Sequence, residues 1–411
     1  MKHLSSNRPK IAYINPTVLV KRPVSEISNG MSERGFDTSI LIPKKLFGKE
    51  DSSLHHSKLM AKSKVYSYGT LSLPLSSEQP IPLSFAFPKN VLKALRENDI
   101  IHMWVPYYLT NLKIIMAKKL FYPKKKLILT MDTVPGYSFS MGCFLDTMFM
   151  LYNKLFGWLI FRTPDIVTLY GKSLVPFALK AGVPKENIRV ISTGVHRVHY
   201  KKSAGESIRR ELRINKKTKI ALYAGLLVPR KGIGKVIEMA SILRKEDVVF
   251  LLAGDGPERK HYEKKAKKLG LEKKVKFLGW RKDISKLYQS ADVFVLASEG
   301  EGLPGVVMEA MSYGLPCVAS DIPCIPDLID DGMNGHLCEK DDVEAFASRI
   351  KELLRNDEKR EVFGKRTKEK MMILDWKIVL GKYEELYLEL SKKKKEMMKR
   401  TKRKIVRNER R

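Results

Sequence analysis

From residue 218 onward, short apolar runs that end in glycine or a polar residue alternate with helical patterns. "KIALYAG", "VVFLLAG", "VKFLG", "DVFVLAS" and "PCVASD" read as buried strands. Between the first two, Ile233, Val236, Ile237, Ala240 and Leu243 recur at i, i+3, i+4, i+7 and i+10, one face of a helix. Strands alternating with helices predict βαβ units and a parallel sheet. The first half carries the same rhythm with weaker punctuation, in "KIAYIN", "DTSILI", "DIIHMW", "LILTMD", "DIVTLY" and "IRVIST". Residues 44–90 break it with Ser, Pro and Lys over a length unusual for a connection, which predicts a partly irregular insertion. Residues 197–218 are polar and pattern-poor, so the domain junction is expected there. A chain of 411 residues also exceeds the roughly 250–300 at which single cores stop growing. The expected organisation is an N-terminal Rossmann-like domain over 1–200, a linker over 201–217, a second α/β domain over 218–390, and a basic tail over 391–411.

Two such doubly wound sheets leave a cleft, and ligands of open α/β sheets bind at the carboxyl ends of strands. The stretch "LASEGEGLPGVVMEAMSYGLPCVAS", residues 296–320, falls at such an end. Its strand closes at Ser298, a loop Glu299–Pro304 follows, and a helix begins near Gly305. Gly300 and Gly302 let the loop backbone approach a ligand, and the free N–H groups at the helix start suit a phosphate. Glu309 lies just over a turn into that helix, where its carboxylate can accept two hydrogen bonds from vicinal hydroxyls. Lys231 and Arg230, in the loop after "IALYAG", lie on the same sheet edge as Glu301. Their charge is suited to a leaving diphosphate.

These motifs carry a resemblance. "EGLPGVVMEAMSYGLPCVAS" resembles the E-x7-E segment of the retaining glycosyltransferases of family 4, with Glu301 and Glu309 at the two glutamates. "YAGLLVPRKG" resembles the diphosphate loop of that family, and "LLAGDGPERK", "VKFLGW", "SADVFVLAS", "DGMNGHL" and "DWKIVLGKYEELY" follow in the expected order. The resemblance covers residues 218–390. It implies a GT-B fold, with two Rossmann-like domains facing across a cleft and a final helix returning toward the N-terminal one. It also implies a nucleotide-diphosphate sugar as donor and transfer with retention of anomeric configuration. By the same resemblance Glu309 holds the donor ribose, Glu301 contacts the donor sugar and Lys231 pairs with the diphosphate, in a donor site that also takes in Gly225, Gly302, Leu303, Pro304 and Gly305. The chain departs from the family in three places. Leu226 stands where relatives often carry arginine, "INPTVLVKRP" with Pro16 and Arg22 replaces a glycine-rich turn, and Met131 and Asp132 stand where a histidine is common. Asp132 and His102 are the N-terminal candidates for the chemistry, each with a bland alternative, a turn cap for the first and a core histidine for the second.

Charge and composition narrow the partners. The formal net charge is +32, and residues 391–411 hold twelve Lys or Arg against two Glu, hence +10 of it. Such a balance favours anionic partners. A nucleic-acid role is not expected, because no aromatic RNA-binding motif or zinc spacing accompanies the charge. The stretch "CFLDTMFMLYNKLFGWLIF", residues 143–161, is interrupted by Asp146, Asn153 and Lys154, so it is expected to lie on a bilayer or in the core and not to cross a membrane. With the basic tail it suggests an acceptor that is a glycan or is lipid-linked, at an anionic membrane surface. No Asp-x-Asp spacing occurs, so no metal is expected, and no cofactor beyond the nucleotide-sugar substrate. Cys143, Cys317, Cys324 and Cys338 form no CxxC pair and read as inert buried thiols. The N-terminus lacks the apolar region of a secretory signal, which points to a cytoplasmic protein. A non-hydrolysing sugar-nucleotide epimerase shares the twin α/β domains and stands as the alternative activity.

Overall fold

A computed structural model describes residues 8–15, 21–45, 63–73, 81–83, 89–104, 109–134, 137–138, 143–198 and 202–409. The chain forms two sheets. The N-terminal one contains β1 (Ile11–Ile14), β2 (Thr38–Lys45), β3 (Lys64–Leu73), β4 (Ile81–Leu83), β5 (Ile100–Trp104), β6 (Lys126–Met131), β7 (Ile166–Leu169) and β8 (Ile188–Val190), ordered β4-β3-β2-β1-β5-β6-β7-β8. The C-terminal one contains β9 (Lys219–Ala224), β10 (Val248–Ala253), β11 (Val275–Gly279), β12 (Val293–Leu296), β13 (Cys317–Ser320) and β14 (Gly335–Cys338), ordered β11-β10-β9-β12-β13-β14. Every pairing is parallel except β3 with β4. The central strands are continuous apolar runs because helices cover both faces of a parallel sheet. All six residues of "VVFLLA" in β10 are buried.

The expected irregular insertion at 44–90 proves to hold sheet. β3 pairs with β2 over seven residues, from Ser39 opposite Lys64 to Lys45 opposite Thr70. Tyr66 and Tyr68 turn inward while Val65 faces out, and the Tyr66 hydroxyl donates to Glu97 at 2.6 Å. The strand is near the sheet edge, so its alternation is built of Tyr, Ser and Gly, and no aliphatic run marks it. Within that insertion residues 46–62, 74–80 and 84–88 lie outside the described residues.

The expected linker also has structure. A helix, Lys202–Glu211, packs on the helix Ile284–Ser290 and belongs with the second sheet. Its Gly205 sits so close to the Gln289 carbonyl that a Cβ there would be 2.5 Å from the oxygen. Arg209 donates to the Ser290 carbonyl at 3.2 Å.

The final helix, Trp376–Glu409, returns to the N-terminal domain. Tyr383 and Tyr387 are fully buried against it, Tyr387 edge-on to Tyr13 at 6.3 Å, and Glu384 pairs with Arg8 at 2.6 Å and Arg34 at 3.1 Å. Leu386 and Leu390 continue this buried face along the helix. Beyond Leu390 the backbone continues helical into the basic tail.

Candidate active site

In the C-terminal sheet, β9 and β12 are neighbours whose chain connections leave in opposite directions, a topological switch point where a crevice opens. The two loops that matter leave from these strands. They are tied by backbone, since the Glu299 N–H donates to the Arg230 carbonyl at 2.8 Å, and by the Arg230 guanidinium, which donates to the Gly300 carbonyl. Gly232 makes the approach feasible. Its φ of +69° is left-handed, and a Cβ there would run into the Ala297 carbonyl oxygen. Gly232→Ala is therefore expected to destabilise the second domain by about 2–4 kcal/mol, through left-handed strain plus the clash. Urea unfolding of the variant checks this, and an unchanged midpoint contradicts it.

Within this frame Lys231 Nζ donates to both oxygens of Glu301, at 2.6 and 2.8 Å, and the Ser298 hydroxyl donates to Glu301 Oε1 at 2.7 Å. Arg230 stands 3.9 Å from Glu301 Oε2. The Glu301 side chain is only 7% exposed, so its charge is held by a full ring of donors. Leu303 is buried under the loop, Pro304 caps the helix Gly305–Ser312, and a Cβ built on Gly305 would meet nothing within 4 Å. Room is therefore left beside Gly305, while the Val307 and Met308 amides donate to the Pro304 carbonyl. Glu309 follows on the same helix. The Tyr288 hydroxyl donates to its Oε2 at 3.1 Å, and burial, then the Glu309 charge, pushes that phenol well above its ordinary range.

The N-terminal domain closes the other side. Arg22, at the start of the helix Arg22–Glu33 after β1, donates to Glu309 Oε1 at 2.6 Å. Lys21 Nζ donates to Asp132 at 3.1 Å, and Asp132 itself lies against the Glu301 loop, 3.1 Å from where a Gly302 Cβ would be. Each of the three cleft carboxylates, Glu301, Glu309 and Asp132, therefore has its own cation.

The structure brings Glu301, Lys231, Arg230, Glu309, Gly302 and Asp132 together. Gly225 lies deeper, at the base of the β9 loop, where its carbonyl meets Gly254. His102 is separate from this group. It is fully buried, its Nδ1 is 2.7 Å from the Tyr387 hydroxyl, its Nε2 is 2.6 Å from Thr130 Oγ1, and it stacks on Trp104 at 4.0 Å. Burial holds its pKa well below the ordinary histidine range. It anchors the returning helix in the core and does not reach the cleft. Arg22, Lys21, Tyr288 and Ser298 carry no role in the sequence reading. Only Arg22 had a signal, its place where a glycine-rich turn was expected. Among the described cysteines, Cys324 comes nearest the cleft, with a left-handed φ of +74° and its thiol pushed up to about 12 by burial, then by Asp327 and Asp132. It is an inert thiol at neutral pH.

The structure thus sets a cation loop and an acidic loop at one switch point of a parallel sheet, beside the start of a helix, with the N-terminal domain reaching them through Arg22 and Asp132. Residues 205–370 match the family "Glycosyl transferases group 1". That match spans the C-terminal sheet and its helices, and the chain is a glycosyltransferase with the GT-B fold. It is 26% identical over 380 residues, 89% of this chain and 92% of the relative, to N-acetyl-alpha-D-glucosaminyl L-malate synthase of Bacillus anthracis. It is 28% identical over 229 residues, 53% of this chain and 58% of the relative, to UDP-Gal:alpha-D-GlcNAc-diphosphoundecaprenol alpha-1,3-galactosyltransferase of Escherichia coli. The fold matches Anabaena HepE, solved in complex with UDP and glucose, with a TM-score of 0.74 over 93% of this chain and all of that one at 18% identity.

Proposed function

We propose that the protein transfers a sugar, with retention of anomeric configuration and without a metal ion, from a nucleoside-diphosphate donor to a lipid-linked acceptor. The observation that carries this is the Lys231–Glu301 pair beside the start of the Gly305–Ser312 helix, with Glu309 one turn further on. Glu309 takes the ribose hydroxyls, Glu301 the donor sugar, and the diphosphate lies between the helix amides and the Lys231 and Arg230 cations. When the bond between the anomeric carbon and the diphosphate oxygen breaks, negative charge grows on the phosphates. Those cations and amides gain strength at that moment and lower the barrier. In this reading the protein's own cations do the work that a divalent ion does elsewhere. Asp132, against Gly302, faces the acceptor side. The lipid-linked acceptor is supported by the diphosphoundecaprenol named for the Escherichia coli relative, and a UDP-type donor by the HepE complex.

The test is a thermal-shift screen of UDP-, GDP- and ADP-sugars in EDTA, followed by transfer assays. One donor class is expected to stabilise the fold, by RT ln(1 + [L]/Kd), and turnover is expected to persist in EDTA. Turnover abolished by EDTA and restored by Mg²⁺ or Mn²⁺ refutes the metal-free reading, and conversion of donor with no acceptor present replaces transfer with epimerisation.

A further inference from the structure

The helix Cys143–Arg162 buries Leu159, Ile160 and Phe161 and carries a second apolar line outward. A helix covering a sheet ordinarily turns its apolar stripe inward and its polar residues to water. Here Met148, Leu151, Leu155 and Trp158, spaced i, i+3, i+7 and i+10, run in one solvent-facing line, and Trp158 is 59% exposed. The opposite side, toward the sheet, carries Asn153, Gly157 and Ile160, all buried. The seam continues onto the neighbouring helix Leu109–Phe121, where Leu120 is 67% and Phe121 70% exposed. Lys119 joins the two, its ammonium 4.6 Å over the Trp158 ring. A contiguous apolar patch of this kind marks an interaction site, unlike scattered exposed residues.

Charge identifies the occupant. Residues 109–162 hold eight Lys or Arg (113, 118, 119, 124, 125, 126, 154 and 162) against Asp132 and Asp146, a net +6. Lys119, Lys154 and Arg162 are exposed beside the apolar line. Lys118 and Lys126 are taken up by Asp165, but a second copy of the chain would still set the exposed Lys119, Lys154 and Arg162 against the same three cations. An anionic bilayer takes apolar side chains to the depth of its headgroups and attracts the basic rim. Among the described residues no helix is long and apolar enough to cross a membrane.

We propose that this seam docks on the surface of an anionic bilayer. β5 and β6 point their carboxyl ends at the cleft, and the chain runs from Asp132 at the end of β6 into the Cys143–Arg162 helix. Docking therefore sets the acceptor side of the cleft at the lipid headgroups. The purpose of the docking rests on the lipid-linked acceptor proposed above, but the docking itself is measured without turnover.

The experiment uses full-length protein carrying Trp280→Phe. Trp104 and Trp376 are buried, so Trp158 remains the exposed indole. With phosphatidylcholine vesicles containing phosphatidylglycerol, Trp158 emission is expected to shift to the blue and to be quenched by brominated acyl chains. Leu120→Glu with Leu155→Glu changes exposed positions only and is expected to lower the partition coefficient in flotation at least about tenfold, since two apolar side chains leave the membrane. Its donor-induced thermal shift is expected to match the parent, which shows an intact fold. Flotation with unmoved Trp158 emission, an unchanged partition coefficient in the double variant, no vesicle binding, or a dimer that the double variant dissociates each overturns the proposal. A water-soluble acceptor overturns the lipid-linked reading alone and leaves these measurements untouched.

Discussion

Lys231→Met lowers the transfer rate by about 10²–10³-fold, the magnitude lost when one preorganised group aimed at developing charge is removed. Donor affinity falls much less, because the charge on the diphosphate is largest as the bond breaks. The variant also loses stability. Glu301 is almost fully enclosed, and without Lys231 its carboxylate keeps only the Ser298 hydroxyl and the distant Arg230. Leaving a buried charge unpaired costs about 3–5 kcal/mol. The two effects separate in the double variant Lys231→Met with Glu301→Gln, which removes the orphaned charge: stability is expected to recover while the rate does not. Single-turnover kinetics and urea unfolding on both variants measure this. A double variant that regains the rate shows that Lys231 serves only the fold. Equal losses in rate and affinity make it a simple anchor for the donor.

Glu309→Ala lowers donor affinity by about 10–100-fold while the protein stays folded. Hydrogen bonds to a charged acceptor contribute about 1.5–3 kcal/mol each. A ribose diol offers two, but it must displace the Arg22 guanidinium already on Glu309 Oε1. That pair is half exposed on the Arg22 side, 48%, and is therefore worth only about 0–1 kcal/mol. The same weakness explains why the fold survives: Arg22 turns to water or to Glu26, 3.8 Å away, when its partner is removed. Titration calorimetry with the nucleoside diphosphate selected by the donor screen measures the effect, and unchanged affinity removes Glu309 from the ribose.

Asp132 shows where local pattern stops. At the end of "LILTMD" it reads as a turn cap before it reads as a site residue, and only the closure of one domain on the other sets it against Gly302. His102 shows the reverse: a histidine in a buried strand draws attention, and Tyr387, 285 residues later, takes its Nδ1. β3 was hidden for another reason, since Tyr66 and Tyr68 supply its buried face without an aliphatic run and Val65 on the other side faces out.

What the sequence determined by itself is the alternation of strands and helices, the two-domain plan, and the placing of the Lys231 loop and the Glu301–Glu309 segment on one sheet edge. Those features depend on short-range periodicity and on glycines at fixed spacing, both written locally in the chain. The tertiary structure alone decided which cation serves which carboxylate, that Arg22 reaches across the cleft to Glu309, and that the Cys143–Arg162 helix turns Met148, Leu151, Leu155 and Trp158 to solvent. Pairing across a cleft depends on how two separately folded sheets meet. The outward face of a helix that is apolar on most of its sides depends on which side the sheet covers, and neither is encoded in any single stretch of residues.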